Sequence, residues 1–132
     1  MFETEEQKER IILVAVATAD GDDTEQSLDE LEELGQTAGA VTVAKVIQNR
    51  EKVHAGTYVG KGKIEEIKNL AISLDADAVV CDDELSPAQY HNLQDALEIK
   101  VIDRTVMILD IFAKRASTSE GKLQVELAQL RY

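Results

Sequence analysis

One unbroken apolar stretch decides the fold of this chain: Ile11-Ile12-Leu13-Val14-Ala15-Val16-Ala17. The stretch has the length of a strand, and its lack of apolar–polar alternation indicates that both faces of the strand are buried. Burial on both faces is typical of a parallel strand that lies between two layers of helices. The stretch therefore predicts an α/β fold with a mainly parallel sheet.

Three more segments of strand length follow, and segments with helical periodicity separate them. Residues 41–48 include three polar side chains, which indicates an edge strand or a half-exposed face. Residues 78–81 and 99–102 predict the third and fourth strands. Because strands that alternate with helices form layered folds, we predict a four-stranded, mainly parallel sheet flanked by helices.

Two helix starts have clear sequence signals. Ser86-Pro87-Ala88-Gln89 combines a capping serine, a proline at the first helical position and a glutamine at the third. Asp103 stands where it can cap the helix that follows the fourth strand. Residues 106–116 of that helix are dense in apolar side chains, which predicts that the helix is largely buried.

Composition excludes several classes of function. Only 4 % of the residues are aromatic, which argues against a base-stacking platform for single-stranded RNA. The single cysteine, Cys81, excludes an internal disulfide and a cysteine-rich zinc site. The N-terminus is acidic and no apolar run reaches membrane-spanning length, so we expect a cytoplasmic protein with no membrane partner.

The net charge of −12 is distributed unevenly. Residues 1–40 carry 12 acidic and two basic side chains, whereas residues 41–132 carry 14 acidic and 12 basic ones. Within residues 45–68, six bases face three acids. Such asymmetry can direct one face toward a polyanion while another face repels it. Chance patchiness of a surface is the alternative explanation.

One corner of the sequence is suited to contact an anion. Gly60-Lys61-Gly62-Lys63 stands at the first turn of a predicted helix, where backbone N–H groups and the helix dipole attract negative charge. Arg50 and Lys52 precede this corner and Lys68 follows it. We predict these seven residues as an RNA- or anion-binding site. The alternative is a loop-to-helix turn with solvated lysines.

This corner is not a nucleotide-hydrolysing P-loop. That motif reads G-x-x-x-x-G-K-[ST], and the final hydroxyl holds Mg²⁺. If Gly60-Lys61 ended the motif, its first glycine would fall on Ala55 and its hydroxyl on Gly62. Ending the motif at Gly62-Lys63 fails at both positions as well. We therefore predict no catalytic residue in this chain.

Three acidic residues, Asp82, Asp83 and Glu84, follow the third predicted strand. Ligands of open α/β sheets bind beyond the carboxyl ends of strands, and carboxylates hold Mg²⁺ directly or through water. These acids are therefore a candidate nucleotide or metal site. The alternative is that they are solvated loop and helix-start residues.

The end of the sequence predicts one more helix, from Glu120 onward. Leu123, Leu127 and Leu130 form a narrow apolar seam on it, and the pattern reaches Tyr132 without a stop signal. We therefore expect the chain to be part of a longer protein.

Five segments together cover roughly the second half of the chain. They are Tyr58-Val59-Gly60-Lys61-Gly62-Lys63, Asp83-Glu84-Leu85-Ser86-Pro87-Ala88-Gln89, Asp103-Arg104-Thr105, Ile108-Leu109-Asp110-Ile111-Phe112-Ala113 and Glu120-Gly121-Lys122-Leu123-Gln124-Val125-Glu126-Leu127-Ala128-Gln129-Leu130. In their order and spacing these segments resemble the HflX family of ribosome-associated GTPases.

The resemblance implies an N-terminal α/β domain at residues 1–117 and the start of a long antiparallel helical pair at residues 118–132. It implies that GTP and Mg²⁺ bind in a GTPase domain that this chain lacks. It further implies a large ribosomal subunit and its rRNA as partners, in ribosome splitting, rescue or biogenesis. Two alternatives stay open: an ATP- or phosphate-binding module, and a structural domain that positions the helical pair and the GTPase domain.

Overall fold

Four strands and four helices alternate along residues 8–18 and 23–115, which are the residues that this computed structural model describes. The elements are β1 (Glu9–Ala17), α1 (Thr24–Thr37), β2 (Ala40–Asn49), α2 (Lys61–Ser73), β3 (Ala78–Cys81), α3 (Pro87–Leu97), β4 (Lys100–Asp103) and α4 (Arg104–Arg115). The helix predicted from Glu120, and with it the predicted 118–132 subdomain, lies outside the described residues.

The strands form one sheet in the order β2-β1-β3-β4, and all three strand pairs are parallel. The chain first adds β2 on one side of β1 and then crosses to add β3 on the other side. This reversal defines a topological switch point between β1 and β3, which is where ligands bind in doubly wound folds. The predicted α/β fold with a parallel four-stranded sheet is confirmed.

Alternate residues of β1 enter two different cores. Ile12, Val14 and Val16 pack with buried residues of α2 and α3 on one face of the sheet. Ile11 and Leu13 pack with buried residues of α1 and α4 on the other face. Because β1 is covered on both sides, its sequence shows the unbroken apolar run that predicted it.

The polar residues of β2 reflect its position at the edge of the sheet. The Nζ atom of Lys45 lies 3.0 Å from Oδ1 of Asp29 and 2.7 Å from Oε1 of Glu32, both on α1. A lysine on an edge strand also discourages pairing with another chain. The edge position expected for this strand is therefore confirmed.

The expectation that the last described helix is largely buried is wrong. Of its apolar side chains, Met107 and Ile111 are buried, whereas Leu109 is 60 % and Phe112 59 % exposed. The sheet covers only one side of α4, and apolar density in a sequence does not show whether a second layer is present. None of the helices in residues 8–18 and 23–115 has the length and apolarity to cross a membrane.

Candidate functional site

A histidine stabilises a turn in the connection between β2 and α2. Nδ1 of His54 accepts the backbone N–H groups of Gly56 (3.1 Å) and Thr57 (3.2 Å). The backbones of His54 and Tyr58 exchange two hydrogen bonds, of 3.1 and 2.9 Å. Residues 54–58 therefore form a tight turn that delivers Tyr58 to the start of α2.

Two side chains of α3 hold this turn against the domain. Nε2 of Gln89 donates to the carbonyl of His54 (2.9 Å), and Nδ2 of Asn92 donates to the carbonyl of Gly56 (2.8 Å). Oε1 of the same Gln89 accepts the N–H of Ser86 and so completes the predicted capping box. The sequence revealed the capping role of Gln89 but not its second contact, which spans 35 residues.

Tyr58 anchors the turn in the interior. Its backbone is left-handed, with φ of 67°, and its side chain is buried. Its Oη donates to Oδ2 of Asp83, 2.7 Å away, beyond the carboxyl end of β3. Burial, and next the hydrogen bond to Asp83, raises the pKa of the Tyr58 hydroxyl. A tyrosine in this backbone region costs about 1 kcal/mol or more, so the surrounding contacts must hold it there.

The two glycines of the corner have different environments. The N–H of Gly60 donates to Oε1 of Gln48 (2.7 Å), and an ideal Cβ on Gly60 would lie 2.9 Å from Nη1 of Arg50. Any side chain at position 60 would therefore displace the Arg50 guanidinium. An ideal Cβ on Gly62 would meet no atom within 4 Å. A side chain at position 60 could be accommodated by a shift of that flexible guanidinium, and one at position 62 would require no shift at all.

The first turn of α2 is positive and uncapped. Gly60 is the N-cap residue, no side chain caps this helix start, and its first turn contains no acid. In contrast, Ser86 caps α3, and Asp103 accepts the N–H of Val106 at the start of α4 (2.9 Å). The N–H groups of the first turn of α2 therefore point to where an anion would bind.

The structure brings most of the predicted basic residues to this corner. Lys61 and Lys52 are exposed, and Nε of Arg50 donates to the carbonyl of Lys52 (3.2 Å). Lys63 is half-buried, and its Nζ lies 3.1 Å from Oε1 of Glu66. Lys68 lies almost two turns further along α2.

Lys68 has a partner of its own immediately after α3. Its Nζ lies 2.8 Å from Oε2 of Glu98. That hydrogen bond raises the pKa of Lys68 and lowers the pKa of Glu98. Lys68 is therefore the predicted base least available to an anion at the helix start.

Two of the three predicted acidic residues have partners within the chain. Oδ1 of Asp82 lies 2.6 Å from Nη2 of Arg104, which also donates to the carbonyl (2.9 Å) and Oγ (3.0 Å) of Ser27. Asp83 accepts from Tyr58 as described above, and Glu84 is exposed. In the described ranges, no three His, Cys, Asp or Glu side chains are grouped so that they could hold a metal ion.

A fourth carboxylate, Asp103, is buried and fixes the loop after β3. Its Oδ2 accepts the N–H of Leu85 (2.9 Å), while its Oδ1 caps α4 as the sequence predicted. Burial, and next the charge of Asp103, raises the pKa of the Cys81 thiol. A protonated, buried thiol is not a nucleophile, so Cys81 is a core residue.

The fold and the site together define a doubly wound α/β domain with a positive helix start near the carboxyl edge of its sheet. Residues 25–113 match the family model described as GTP-binding GTPase N-terminal. The chain is 67 % identical over 132 residues to a protein named GTPase HflX from Lacrimispora saccharolytica. The aligned region covers all of this chain and 31 % of that protein. It is 49 % identical over 132 residues to the GTPase HflX of Caldanaerobacter subterraneus subsp. tengcongensis, covering 100 % of this chain and 30 % of that protein.

The chain therefore belongs to the HflX family, and it corresponds to the portion that the GTP-binding GTPase N-terminal model describes. It spans about a third of the length of these relatives. The fold is also found in a crystal structure of a GTP-binding protein from the archaeon Sulfolobus solfataricus in complex with GDP. That match has a TM-score of 0.58 at 22 % identity and covers 92 % of this chain and 36 % of the other.

The anchoring role of Tyr58 has a testable dependence on pH. Tyr58→Phe keeps the ring but removes the hydrogen bond to Asp83, so we expect the free energy of unfolding at pH 7 to fall by about 1 kcal/mol. The raised pKa keeps Tyr58 protonated in the folded chain, whereas an unfolded tyrosine ionises near its ordinary pKa of 10.0. The native chain therefore loses stability above that pH, by about 1.4 kcal/mol one unit higher, and the phenylalanine variant is spared this loss.

Urea unfolding at pH 7 and pH 11 measures both quantities. We expect the deficit of the variant at pH 7 to disappear by about pH 11. A deficit that stays constant over this range would show that burial and the contact with Asp83 do not keep Tyr58 protonated in the folded chain.

Proposed function

We propose that this chain is the part of an HflX-type GTP-binding protein that contacts the large ribosomal subunit. The start of α2 faces ribosomal RNA in this proposal. Lys61, Gly62, Lys63, Arg50 and Lys52 form the contact surface, the buried Gly60 begins the helix beneath it, and Lys68 adds charge at its border. Because the proposed partner is the ribosome, the proposal includes a cytoplasmic location for the protein.

The observation that carries the proposal is the uncapped first turn of α2. Free N–H groups, the helix dipole and the exposed Lys61 all favour an anion at the same place, and no acid in that turn neutralises them. RNA presents closely spaced phosphates, which such a helix start can contact. Phosphate contacts of this kind give affinity and position without reading base sequence.

Gly62 provides independent support. Glycine is a poor helix former, and the space around position 62 would accommodate a side chain. The fold therefore has no steric need for glycine there. A backbone that a phosphate must approach closely does need the absence of a side chain.

GTP and Mg²⁺ are assigned to the region of the longer relatives that this chain does not span. The chain lacks the G-x-x-x-x-G-K-[ST] loop that would hold both. We therefore propose that the complete protein hydrolyses GTP in its own GTPase domain. That domain is an intramolecular partner of the α/β domain. In this proposal the α/β domain contributes binding to the large ribosomal subunit.

An ATP site at the strand ends is the alternative. Asp82 and Asp83 are engaged with Arg104 and Tyr58, and their negative charge would repel phosphates unless Mg²⁺ intervened. The geometry therefore favours the RNA contact over ATP. A second alternative is a structural domain that only positions the rest of the protein.

Removing two lysines tests the RNA contact. For Lys61→Ala/Lys63→Ala, we expect weaker binding of the chain to isolated large ribosomal subunits, measured by co-sedimentation over a range of KCl concentrations. The slope of log K against log[salt] should become shallower by about 1.5, because each phosphate contact contributes about 0.7–0.9. Millimolar ATP with Mg²⁺ should not compete.

Lys8→Ala/Lys100→Ala is the charge-matched control, because it also removes two lysines. Both of these lysines lie at the amino edge of the sheet, whereas the start of α2 lies near the carboxyl edge. It should keep the affinity and salt slope of the native chain. Equal affinity and slope for both double variants would remove the α2 start from the contact and leave the structural alternative. Competition by ATP would favour the ATP site.

A single glycine substitution separates stability from binding. We expect Gly62→Ala to raise the free energy of unfolding by a few tenths to about 1 kcal/mol, because alanine is the better helix former. The same substitution should weaken binding to the large subunit, because its methyl group obstructs the approach of a phosphate. A variant that is stabilised and binds as the native chain does would show that no partner approaches position 62.

A further inference from the structure

The turn at residues 54–58 depends on one unprotonated nitrogen. Nδ1 of His54 accepts the N–H groups of Gly56 (3.1 Å) and Thr57 (3.2 Å), and both donors need the lone pair of that atom. The proton of the neutral ring is therefore on Nε2. Because His54 is exposed, the solvent can deliver a second proton to the ring.

A second proton changes the role of Nδ1 from acceptor to donor. The charged imidazole carries an N–H group at each nitrogen, so the two backbone donors lose their partner. Oγ1 of Thr57 lies 3.2 Å from Nδ1 and can accept from the charged ring, because this hydroxyl donates its own proton to the carbonyl of Val59 (2.8 Å). His54 therefore has a hydrogen-bond partner in both charge states, but only the neutral ring holds the N–H groups of Gly56 and Thr57.

Imidazole is the side chain that ordinarily exchanges a proton between pH 5 and 8. The two side chains of α3 that contact the turn, Gln89 and Asn92, are uncharged amides. The charged or titratable side chains beside the turn and on the elements packed against it are Arg50, Glu51, Lys52, Asp83, Glu84, His91 and Asp95. Within the described ranges, none of them is hydrogen bonded to the His54 ring.

The turn is linked to the start of α2 through Tyr58. The backbone of Tyr58 exchanges two hydrogen bonds with His54 and has a left-handed φ of 67°, which persists only where surrounding contacts hold it. Gly60, the N-cap residue of α2, is only two residues further along. Loss of the contacts to Nδ1 therefore weakens the constraint on the backbone that leads into the first turn of α2.

We propose that His54 is a positioning residue that makes the anion contact at the start of α2 dependent on pH. Its neutral ring holds the preceding backbone ready for a phosphate, and its protonation releases that backbone. The effect on binding rests on the proposed RNA contact, whereas the change in the turn occurs without RNA.

The direction of the pH dependence distinguishes this role from a simple charge effect. A charged imidazole beside the corner would, by electrostatics alone, strengthen RNA binding as the pH falls. Release of the turn weakens binding as the pH falls, because only the closed turn presents the helix start correctly. The two explanations therefore predict opposite signs.

Asparagine at position 54 separates the acceptor from the titration. Its Oδ1 atom is attached to Cγ, as Nδ1 of histidine is, and asparagine side chains commonly accept the N–H group two residues further along. His54→Asn therefore keeps an acceptor for Gly56 but takes up no proton between pH 5 and 8. His91→Gln is the matched control, because His91 is the other histidine of the chain and is exposed on α3.

The first measurement needs no RNA. Amide hydrogen exchange of the nitrogen-15-labelled chain, followed by NMR and corrected for the intrinsic rate at each pH, gives the protection factors of Gly56 and Thr57. Between pH 7.5 and pH 5.5 we expect both factors to fall about tenfold in the native chain and in His91→Gln, because each pH unit below the range of a free imidazole favours the open turn about tenfold. They should stay constant in His54→Asn. Constant protection in the native chain, or an equal fall in His54→Asn, would overturn the proposal.

The second measurement is the affinity for isolated large ribosomal subunits at the same two pH values and a fixed salt concentration. We expect the native chain and His91→Gln to bind about threefold more weakly at pH 5.5, and His54→Asn to bind equally at both. Native binding that strengthens or stays level as the pH falls would overturn the link between His54 and the contact. Absence of binding at pH 7.5 would contradict the proposed function instead, and the protection factors would still decide whether His54 controls the turn. Unfolding curves at both pH values verify that each variant is folded.

Discussion

The burial of β1 on both faces is the constraint on which the rest of the domain depends. Its apolar side chains alternate between two cores, so helices must cover both sides of the sheet. The chain therefore crosses from one side of β1 to the other between β2 and β3. That crossing places the start of α2, the loop after β3 and the start of α4 near one edge of the sheet.

Electrostatic contacts at that edge separate a neutralised region from a positive one. Asp82 is paired with Arg104, Asp83 accepts from Tyr58, and Asp103 accepts two backbone N–H groups. These carboxylates hold the loops in place, and their negative charge interacts with partners within the domain. The start of α2 has lysines and no cap, so its positive potential is directed outward.

Local signals in the sequence predicted the features that depend on neighbouring residues. The strand at Ile11, the capping box at Ser86 and the cap at Asp103 each follow from short-range patterns, and the structure contains all three. The acids at Asp82 and Asp83 were ambiguous because their partners, Arg104 and Tyr58, lie more than twenty residues away. Hydrogen bonds of that separation leave no periodic signal in a single sequence.

Three other features were beyond prediction for different physical reasons. The left-handed backbone of Tyr58 is imposed by the turn at His54 and by burial, whereas sequence rules assign such a backbone to glycine or asparagine. The apolar residues of α4 were expected to be buried, because density alone does not distinguish a core helix from one whose outer face is uncovered. The distinct environments of Gly60 and Gly62 likewise depend on the position of Arg50.

The central claim is that the first turn of α2 is the place where this domain meets a phosphate. The backbone amide resonances of Lys61, Gly62 and Lys63 test it most directly, in an NMR titration of the nitrogen-15-labelled chain with a short RNA duplex. We expect these three amides to shift most, while the start of α3, which Ser86 caps, stays unchanged. Unchanged resonances at Lys61–Lys63, together with shifts at another face, would contradict the claim.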